Sequence, residues 1–400
     1  MFKGVRRARA FKRLGLTLAA ATVALLSACG ASIARKAPAY RLPPVKHVFV
    51  IMLENESYSS TFGDPAAYPY LARTLAKRGE RLENYYATGH DSNDNYISIV
   101  SGQPPNTSNQ ADCPTFEDFT ANTLLANGVE SGTGCLYPAN VLTIGNQLSA
   151  RHLSWKGYME DMGNDPHRES AACGHPSVNG PDGTQAAEPG DGYATRHDPF
   201  VYFHSVIDNQ RYCDTHVVAL GTPTGAMPAT ALPGETGLVT DLRRASSTPA
   251  FSYIVPNLCD DGHDYPCINQ QSGASAGADI DSFLQSWIPT IMRSPAFKQG
   301  GLLEITFDEA ADADSSACCG EAPGPGAAQP GIGGPGGGRV GALLISPFIK
   351  GGTVDRRAYD HYSSLGSWEE LFGLRRLAYA RSVKDVFGAD VFNNYTQPKS

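Results

Sequence analysis

Two pairs of polar residues in the sequence could bind a metal ion. Glu54 and Asn55 directly follow one continuous apolar run, and Asp308 and Glu309 directly follow another. Carboxylate and amide oxygens are ligands for divalent cations, although an acid at the end of a strand is often only solvated. Two adjacent acids that leave a core strand must separate or share a positive ion, because unpaired carboxylates repel each other. These four residues are therefore candidate metal ligands.

A serine at the start of a predicted helix is a candidate nucleophile. Ser92 begins a short helix predicted at residues 92–100, and a serine at such a position most often serves only as a helix cap. A helix N-terminus also offers free N–H groups and a positive dipole, which stabilise a phosphate and lower the cost of an alkoxide. Ser92 can therefore occupy the position of a cap and act as a nucleophile.

The segments around these residues predict the fold class. Continuous apolar runs are typical of buried parallel strands, and here they alternate with helical segments. This order predicts an α/β fold, with a central, mostly parallel sheet and helices on both faces. Ligands of such sheets bind at the carboxyl ends of the strands, where Glu54 and Asp308 would lie. We predict strands at 46–53, 155–159, 251–255, 301–307 and 340–345, helices at 69–78, 92–100, 144–152, 279–293 and 362–372, and irregular loops at 164–193 and 321–338.

The N-terminal residues predict an exported lipoprotein. Six basic residues and no acid accompany a short apolar stretch at 14–26, which is typical of a signal peptide and too short for a spanning helix. The stretch ends in Leu-Ser-Ala-Cys at 26–29, which resembles a bacterial lipobox that would place a lipid on Cys29. The alternative is an ordinary signal peptide with a chance cysteine. We expect a signal peptide at 1–28, a tether at 29–45, a single domain at 46–400, and anchoring to the bacterial cell envelope.

The charge of the chain excludes one class of partner. The full sequence has 40 acidic and 32 basic residues, and residues 1–28 contain six of the basic ones and none of the acidic ones. The mature chain is therefore strongly acidic, and neither nucleic acid nor anionic lipid is an expected electrostatic partner.

Eight of the nine cysteines lie beyond Cys29. An even number in an oxidising compartment predicts disulfides. Proximity in sequence suggests three pairs, and it leaves Cys318 and Cys319 either as a vicinal pair or paired elsewhere. The alternative, a metal-binding thiol site, lacks the repeated Cys-x-x-Cys spacing of zinc sites. The three suggested pairs are Cys113 with Cys135, Cys173 with Cys213, and Cys259 with Cys267.

Six short motifs follow one another along the sequence. They are Glu-Asn-x-Ser-Tyr at 54–58, His-x-Ser-x-x-Asn-Tyr at 90–96, Arg-His-x-Pro-Phe-Val at 196–201, Pro-Asn followed by Asp-x-His-Asp at 256–264, Phe-Asp-Glu at 307–309, and Asp-His-x-Ser at 360–363 ahead of Glu-Glu-Leu-Phe-Gly-Leu at 369–374. In this order they make the sequence resemble the bacterial phosphoesterase family of acid phosphatases and phospholipases C, within the alkaline-phosphatase-like superfamily. The sequence departs from many relatives after Glu309, where Ala-Ala-Asp replaces His-Gly-Gly or Asp-Asp-Gly.

The resemblance implies one divalent metal ion and a phosphoserine intermediate on Ser92. A bound cation lowers the pKa of a serine and neutralises a phosphate oxygen. Asn95 could donate to a phosphate oxygen as charge develops. His197 and His263 resemble the family histidines that contact the phosphoryl group or protonate the leaving oxygen. The implied metal ligands are Glu54, Asn55, Ser92, Asp308 and Glu309.

The sequence is compatible with three functions. The expected one is a phosphomonoesterase of the acid phosphatase type. A phospholipase C that acts on phosphodiesters is the alternative; its long β-rich extension has no counterpart after residue 374, which favours the monoesterase. A non-catalytic, lipid-anchored binding protein is the third, and the presence of Ser92 with a full set of candidate ligands argues against it.

Overall fold

A single mixed sheet organises the protein. The computed structural model describes residues 40–268 and 275–398, and the chain from Tyr40 onward forms one compact unit. The sheet order is β4-β3-β5-β1-β6-β7-β2-β8. Strand β7 runs antiparallel to both of its neighbours, and the other pairs are parallel. The strands are β1 His47–Leu53, β2 Glu80–Tyr86, β3 Trp155–Met159, β4 Val217–Ala219, β5 Phe251–Val255, β6 Gly301–Phe307, β7 Ala342–Ile345 and β8 Thr353–Asp360.

Helices connect and cover the strands. A π-helical segment at Pro69–Leu75 and several short 3-10 turns complete the regular structure of the described residues. No helix in this part of the chain is both long and apolar enough to span a bilayer. The α-helices are α1 Ser92–Ser101, α2 Ile144–Ala150, α3 His204–Ile207, α4 Gln210–His216, α5 Leu238–Asp241, α6 Ala276–Arg293, α7 Pro295–Lys298 and α8 His361–Leu371.

The centre of the sheet is its most apolar part. Strands β1 and β6 are buried along their whole length and pair in parallel from His47 with Gly301 to Leu53 with Phe307. Burial on both faces explains why their sequences are mostly apolar. Because Leu53 and Phe307 are partners, the residues that follow them leave the sheet side by side.

The predicted fold class is confirmed, and three predicted strands have the observed bounds: 155–159, 251–255 and 301–307. The prediction missed β2, β4 and β8. Strands β2 and β8 carry partly exposed, charged residues, so they lack the continuous apolar run, and β4 has only three residues. The segment predicted as a helix at 69–78 is the shorter π-helix.

The predicted cysteine pairs are present. Disulfides join Cys113 to Cys135, Cys173 to Cys213 and Cys259 to Cys267. Cys318 and Cys319 form the vicinal disulfide rather than pairing elsewhere. The predicted signal peptide and Cys29 lie outside the described residues, and the domain bounds stay a prediction.

A buried chain of hydrogen bonds ties β6 to helix α8. Glu304, fully buried in β6, contacts Ser364 Oγ at 2.5 Å, and Ser364 Oγ lies 2.8 Å from the Tyr85 hydroxyl. Tyr85 reaches His361 Nδ1 at 3.1 Å, and His361 Nε2 lies 2.7 Å from the carbonyl oxygen of Asp308. Burial lowers the pKa of His361 to about 4, so its ring is neutral.

The hydrogens in this chain can be assigned. With His361 neutral and Nε2–H donating to Asp308, the three remaining contacts have only the hydroxyl hydrogens of Ser364 and Tyr85. A proton on Glu304 supplies the third hydrogen. Burial raises the pKa of Glu304 to about 7, although the hydrogen bonds that Ser364 and Trp368 donate to the ionised carboxylate oppose the rise. Glu304 therefore holds a proton in acidic solution, and the whole chain is then satisfied.

Replacing Glu304 with Gln should flatten the pH dependence of stability. The folded-state pKa is raised from 4.5 to about 7, so the contribution of Glu304 to the free energy of unfolding is fully present below pH 4.5 and is lost as the pH rises through 7. A tenfold difference in proton affinity between the folded and unfolded states corresponds to about 1.4 kcal/mol. A Gln amide donates to Ser364 at any pH, so the variant should lose this contribution.

Urea unfolding at several pH values would measure the effect. Glu117→Gln, at an exposed glutamate, is the matched control and should run parallel to the wild type. Parallel curves for Glu304→Gln and the wild type would contradict the protonated chain.

Candidate functional site

The Ser92 hydroxyl lies against the end of strand β1. Ser92 is the first residue of α1 and is 2% exposed. Its Oγ donates a hydrogen bond to Glu54 Oε2 at 2.9 Å, and the N-cap position of the helix is taken by the preceding residue, Asp91. Ser92 is therefore held by an acidic group, not by the helix backbone.

The backbone before Ser92 has an unusual conformation. Asp91 has φ 67° and ψ 144°, a region that non-glycine residues rarely adopt and that is found mostly at functional sites. The side chain of Asn95 holds this turn, because its Oδ1 accepts from the N–H groups of Thr88 and Gly89 at 3.0 and 2.9 Å. Its Nδ2 donates to the carbonyl oxygens of Gly89 and Asp91. The Asn95 amide is thus fully engaged by the turn that presents Ser92.

Asp308 and Asn55 meet across β1 and β6. The backbone N–H of Asn55, whose φ is 59°, donates to Asp308 Oδ1 at 3.0 Å. Asp308 Oδ2 and Glu54 Oε1 are buried and accept no hydrogen bond from the described residues. Burial followed by the charges of Asp308 and Asp261 raises the pKa of Glu54 well above its usual value, and burial raises that of Asp308.

Glu309 turns away from Asp308 and contacts a histidine. Its Oε2 lies 2.5 Å from His90 Nδ1, and His90 Nε2 lies 3.0 Å from the carbonyl oxygen of Asp314. Burial opposes the positive charge of His90, but the hydrogen bond and charge of Glu309 raise the pKa of His90 to about 9. His90 therefore holds its proton more strongly than a free imidazole, in a pair with Glu309 next to the candidate nucleophile turn.

His197 faces Glu54 from the other side. Its Nε2 lies 3.4 Å from Glu54 Oε1 without forming a hydrogen bond, and its Nδ1 lies 3.1 Å from Asp261 Oδ2. The ring stacks on Tyr96 with centroids 5.0 Å apart. Burial, then Arg196 and His263, lower the pKa of His197 well below its usual value. The neutral ring of His197 thus lies between Glu54 and Asp261, with Nε2 on the Glu54 side.

His263 forms hydrogen bonds with Asp264 and Arg196. Its Nδ1 donates to Asp264 Oδ1 at 2.8 Å, which lowers the pKa of Asp264. Its Nε2 accepts from Arg196 Nη2 at 3.1 Å. Arg196 is buried and also lies 3.5 Å from Asp112. With both ring nitrogens engaged, His263 has no free proton for a leaving group in this arrangement.

The N-terminus of α1 is less open than the sequence suggested. The N–H of Asn93 donates to Asp112 Oδ1 at 2.9 Å, so one of the amides expected to be free is already occupied. Asn93 Nδ2 donates to the carbonyl oxygen of Arg196. These contacts link the helix start to the segment that carries His197.

The site fits a divalent cation. Glu54 and Asp308 are ionisable, buried and close, and each has an oxygen that receives no donor. Such a pair must hold a proton or a metal ion. Atoms of Glu54, His197 and His263 also lie within 4.8 Å of one another. Both ring nitrogens of His263 are engaged, so Glu54 and His197 are the members of this group that remain available to an ion. Oxygen ligands with one histidine suit a borderline cation.

The structure brings most of the predicted residues together. Glu54, Ser92, Asp308 and His197 form one cluster, whereas Glu309 is engaged with His90 and the side chain of Asn55 is only half-buried. Three contributors were missing from the predicted site: Arg196, Asp261 and Tyr85. Arg196 and Asp261 lie within recognised motifs and could have been included, while Tyr85 lies in a strand that the sequence did not reveal.

Comparisons with known proteins identify relatives of this chain. A phosphate-repressible acid phosphatase of Penicillium chrysogenum is 27% identical over 330 residues, 82% of this chain and 59% of that protein. This chain thus spans about three fifths of the length of that fungal relative. A phosphatidylinositol-3-phosphatase of Mycobacterium tuberculosis is 23% identical over 350 residues, 87% of this chain and 84% of that protein.

A solved structure and a family profile complete the comparisons. A protein of the alkaline phosphatase superfamily from Vibrio parahaemolyticus aligns with a TM-score of 0.45 and 14% identity, over 84% of this chain and 68% of that one. The sequence profile of the Phosphoesterase family matches residues 66–375. That match covers most of the chain and confirms the family resemblance seen in the motifs, so this protein belongs to the Phosphoesterase family.

Proposed function

We propose that this protein hydrolyses phosphate monoesters through a phosphoserine formed on Ser92. The observation that carries the proposal is the contact between Ser92 Oγ and Glu54 Oε2, at 2.9 Å, beside the unpaired oxygen of Asp308. A hydroxyl in this position is oriented for attack and lies at the positive end of a helix. Water then hydrolyses the phosphoserine and restores the free hydroxyl.

One divalent metal ion would be held by Glu54, Asn55, Ser92, Asp308 and Glu309. The buried oxygens without donors on Glu54 and Asp308 support this assignment. When bound, the cation supplies charge neutralisation for the phosphate and lowers the pKa of the serine hydroxyl. His361 supports the site from behind, because its N–H donates to the carbonyl oxygen of Asp308.

Positive charge near Ser92 would come from two side chains of this chain. Arg196 is a buried guanidinium beside His263, and His90 carries a proton next to the nucleophile turn. Both oppose the repulsion between a phosphate and the carboxylates of the site. Asn95 acts on the reaction through the turn it holds, since its amide is engaged by residues 88–91. His197, with Nε2 on the Glu54 side, orients groups there.

The relatives favour a monoester substrate. The names of the two relatives described above are those of an acid phosphatase and of a phosphoinositide phosphatase, and both activities cleave phosphate monoesters. Hydrolysis of a monoester and a diester chromogenic substrate, each with and without chelator, would decide between monoesterase and phosphodiesterase. Equal or faster turnover of the diester would contradict the proposal.

Ser92→Ala should lower turnover by at least about 1,000-fold, as expected for loss of a nucleophile. The fold should remain, because Ser92 follows the cap residue Asp91 and its hydroxyl bonds to Glu54, not to the helix backbone. Steady-state kinetics and thermal unfolding measure the two effects.

Ser98→Ala is the matched control for Ser92→Ala, since Ser98 lies in the same helix and its Oγ donates to the carbonyl oxygen of Gln103. The control should keep its activity. Appreciable turnover by Ser92→Ala would show that the nucleophile is another group.

Asp308→Ala should weaken metal binding by more than about 100-fold, because the core strand β6 fixes its position and no neighbour can replace it. Glu309→Ala should have a smaller effect, since Glu309 is already bonded to His90. Metal content and rates of both variants, with the exposed Asp312→Asn as control, measure the difference. Full metal occupancy in Asp308→Ala would contradict the proposed metal site.

The proposed location is the bacterial cell envelope, with the chain anchored by a lipid on Cys29. The four disulfides support an oxidising compartment. Cys29→Ser should move the protein from the membrane fraction to the soluble fraction at unchanged specific activity, because Cys29 precedes the compact unit. Fractionation and activity assays test this. A variant that stays with the membrane would indicate a membrane-binding surface instead of acylation.

A further inference from the structure

A second cluster of metal-binding side chains lies outside the Ser92 site. The Sγ atoms of Cys318 and Cys319 and one oxygen each of Glu321 and Asp360 lie within 4.8 Å of one another. Asp360 ends strand β8 and caps helix α8, and the two cysteines and Glu321 belong to the loop that follows β6. Two thiolates and two carboxylates form a donor set suited to tetrahedral Zn²⁺.

One oxygen of Asp360 is available to such an ion. Asp360 is fully buried, and its Oδ1 accepts from the N–H and the hydroxyl of Ser363. Its Oδ2 is buried and accepts no hydrogen bond from the described residues. This oxygen is directed at the cysteine turn, because a Cβ added at Gly320 would stand only 2.4 Å from it. A buried carboxylate oxygen without a donor is costly unless the group holds a proton or binds a cation.

Glu321 shapes the turn that carries the two sulfurs. Its carboxylate accepts from the backbone N–H groups of Cys318, Cys319 and Gly320, at 2.7–3.2 Å. These bonds do not involve the sulfur atoms, so the turn does not depend on the S–S bond alone. Cys319 is exposed, so a reductant in solution can reach the disulfide.

We propose that reduction of the Cys318–Cys319 disulfide creates a site for Zn²⁺ or a similar thiophilic ion. A dithiol supplies two electrons and two protons: the S–S bond breaks, two S–H bonds form, and the dithiol closes to its own disulfide. Metal binding then releases both thiol protons to solvent as two metal–sulfur bonds form. In the disulfide form the sulfurs carry no thiolate charge and the site does not bind the ion.

Cd²⁺ titration of the full mature chain tests the proposal, because Cd²⁺ bound by thiolate gives an ultraviolet charge-transfer band. The Ser92 site offers no sulfur and gives no such band. The metal-free protein is reduced with a water-soluble phosphine, which becomes phosphine oxide, and the excess is removed without air. We expect one Cd²⁺ per chain to produce the band, Zn²⁺ to abolish it by competition, and the unreduced chain to give none.

Variants separate this site from the other cysteines. The double variant Cys318→Ser/Cys319→Ser should give no band after the same treatment. Asp360→Asn keeps both sulfurs and can still accept from Ser363, yet it should weaken Cd²⁺ binding by more than about 10-fold. Glu369→Gln is the matched control, since Glu369 is also a buried carboxylate with an oxygen lacking a donor on the same helix, and it should bind like the wild type.

Three results would overturn the proposal. These are no band in the reduced wild type, an equal band in the double variant, and wild-type affinity in a folded Asp360→Asn, with folding checked by circular dichroism. Because Asp360→Asn leaves both cysteines in place, it decides the question even where the double variant does not fold.

Discussion

The repulsion among buried carboxylates at the ends of β1 and β6 is the constraint around which the site is built. Glu54, Asp308 and Glu309 lie in one small volume, where burial makes each negative charge costly. Each acid has one neighbour that relieves part of this cost: the hydroxyl of Ser92, the N–H of Asn55 and the ring of His90. The oxygens left over are those that a cation would bind.

The rest of the fold keeps these acids in place. The sheet fixes where Glu54 and Asp308 leave their strands. Helix α8 also holds the backbone at Asp308, through His361 and the hydrogen-bond chain that links it to Tyr85 in β2 and Glu304 in β6. The nucleophile turn has its own support in Asn95. Positions set by several buried contacts do not have to be reorganised when a substrate binds, which is an advantage for electrostatic catalysis.

The sequence predicted the parts of the protein that are determined locally. Continuous apolar runs located β1, β5 and β6, and the polar residues that follow β1 and β6 are those that converge. Strands β2 and β8 escaped prediction because their exposed faces break the apolar pattern.

Contacts between distant segments could not be predicted in this way. The pairing of His90 with Glu309 and the engagement of Asn95 by its own turn depend on how segments pack, which no local pattern encodes. These two contacts could therefore be found only from the structure.

The register of β1 and β6 also determines which kinds of genetic change the site can tolerate. Seven consecutive residue pairs, from His47 with Gly301 to Leu53 with Phe307, set Glu54 opposite Asp308. Inserting or deleting one residue in either strand would move one acid by about 3.3 Å relative to the other and turn its side chain to the opposite face. Such a change would abolish the site with every functional side chain still present. Length variation in this protein should therefore be confined to its loops, however freely the individual strand residues exchange among apolar types.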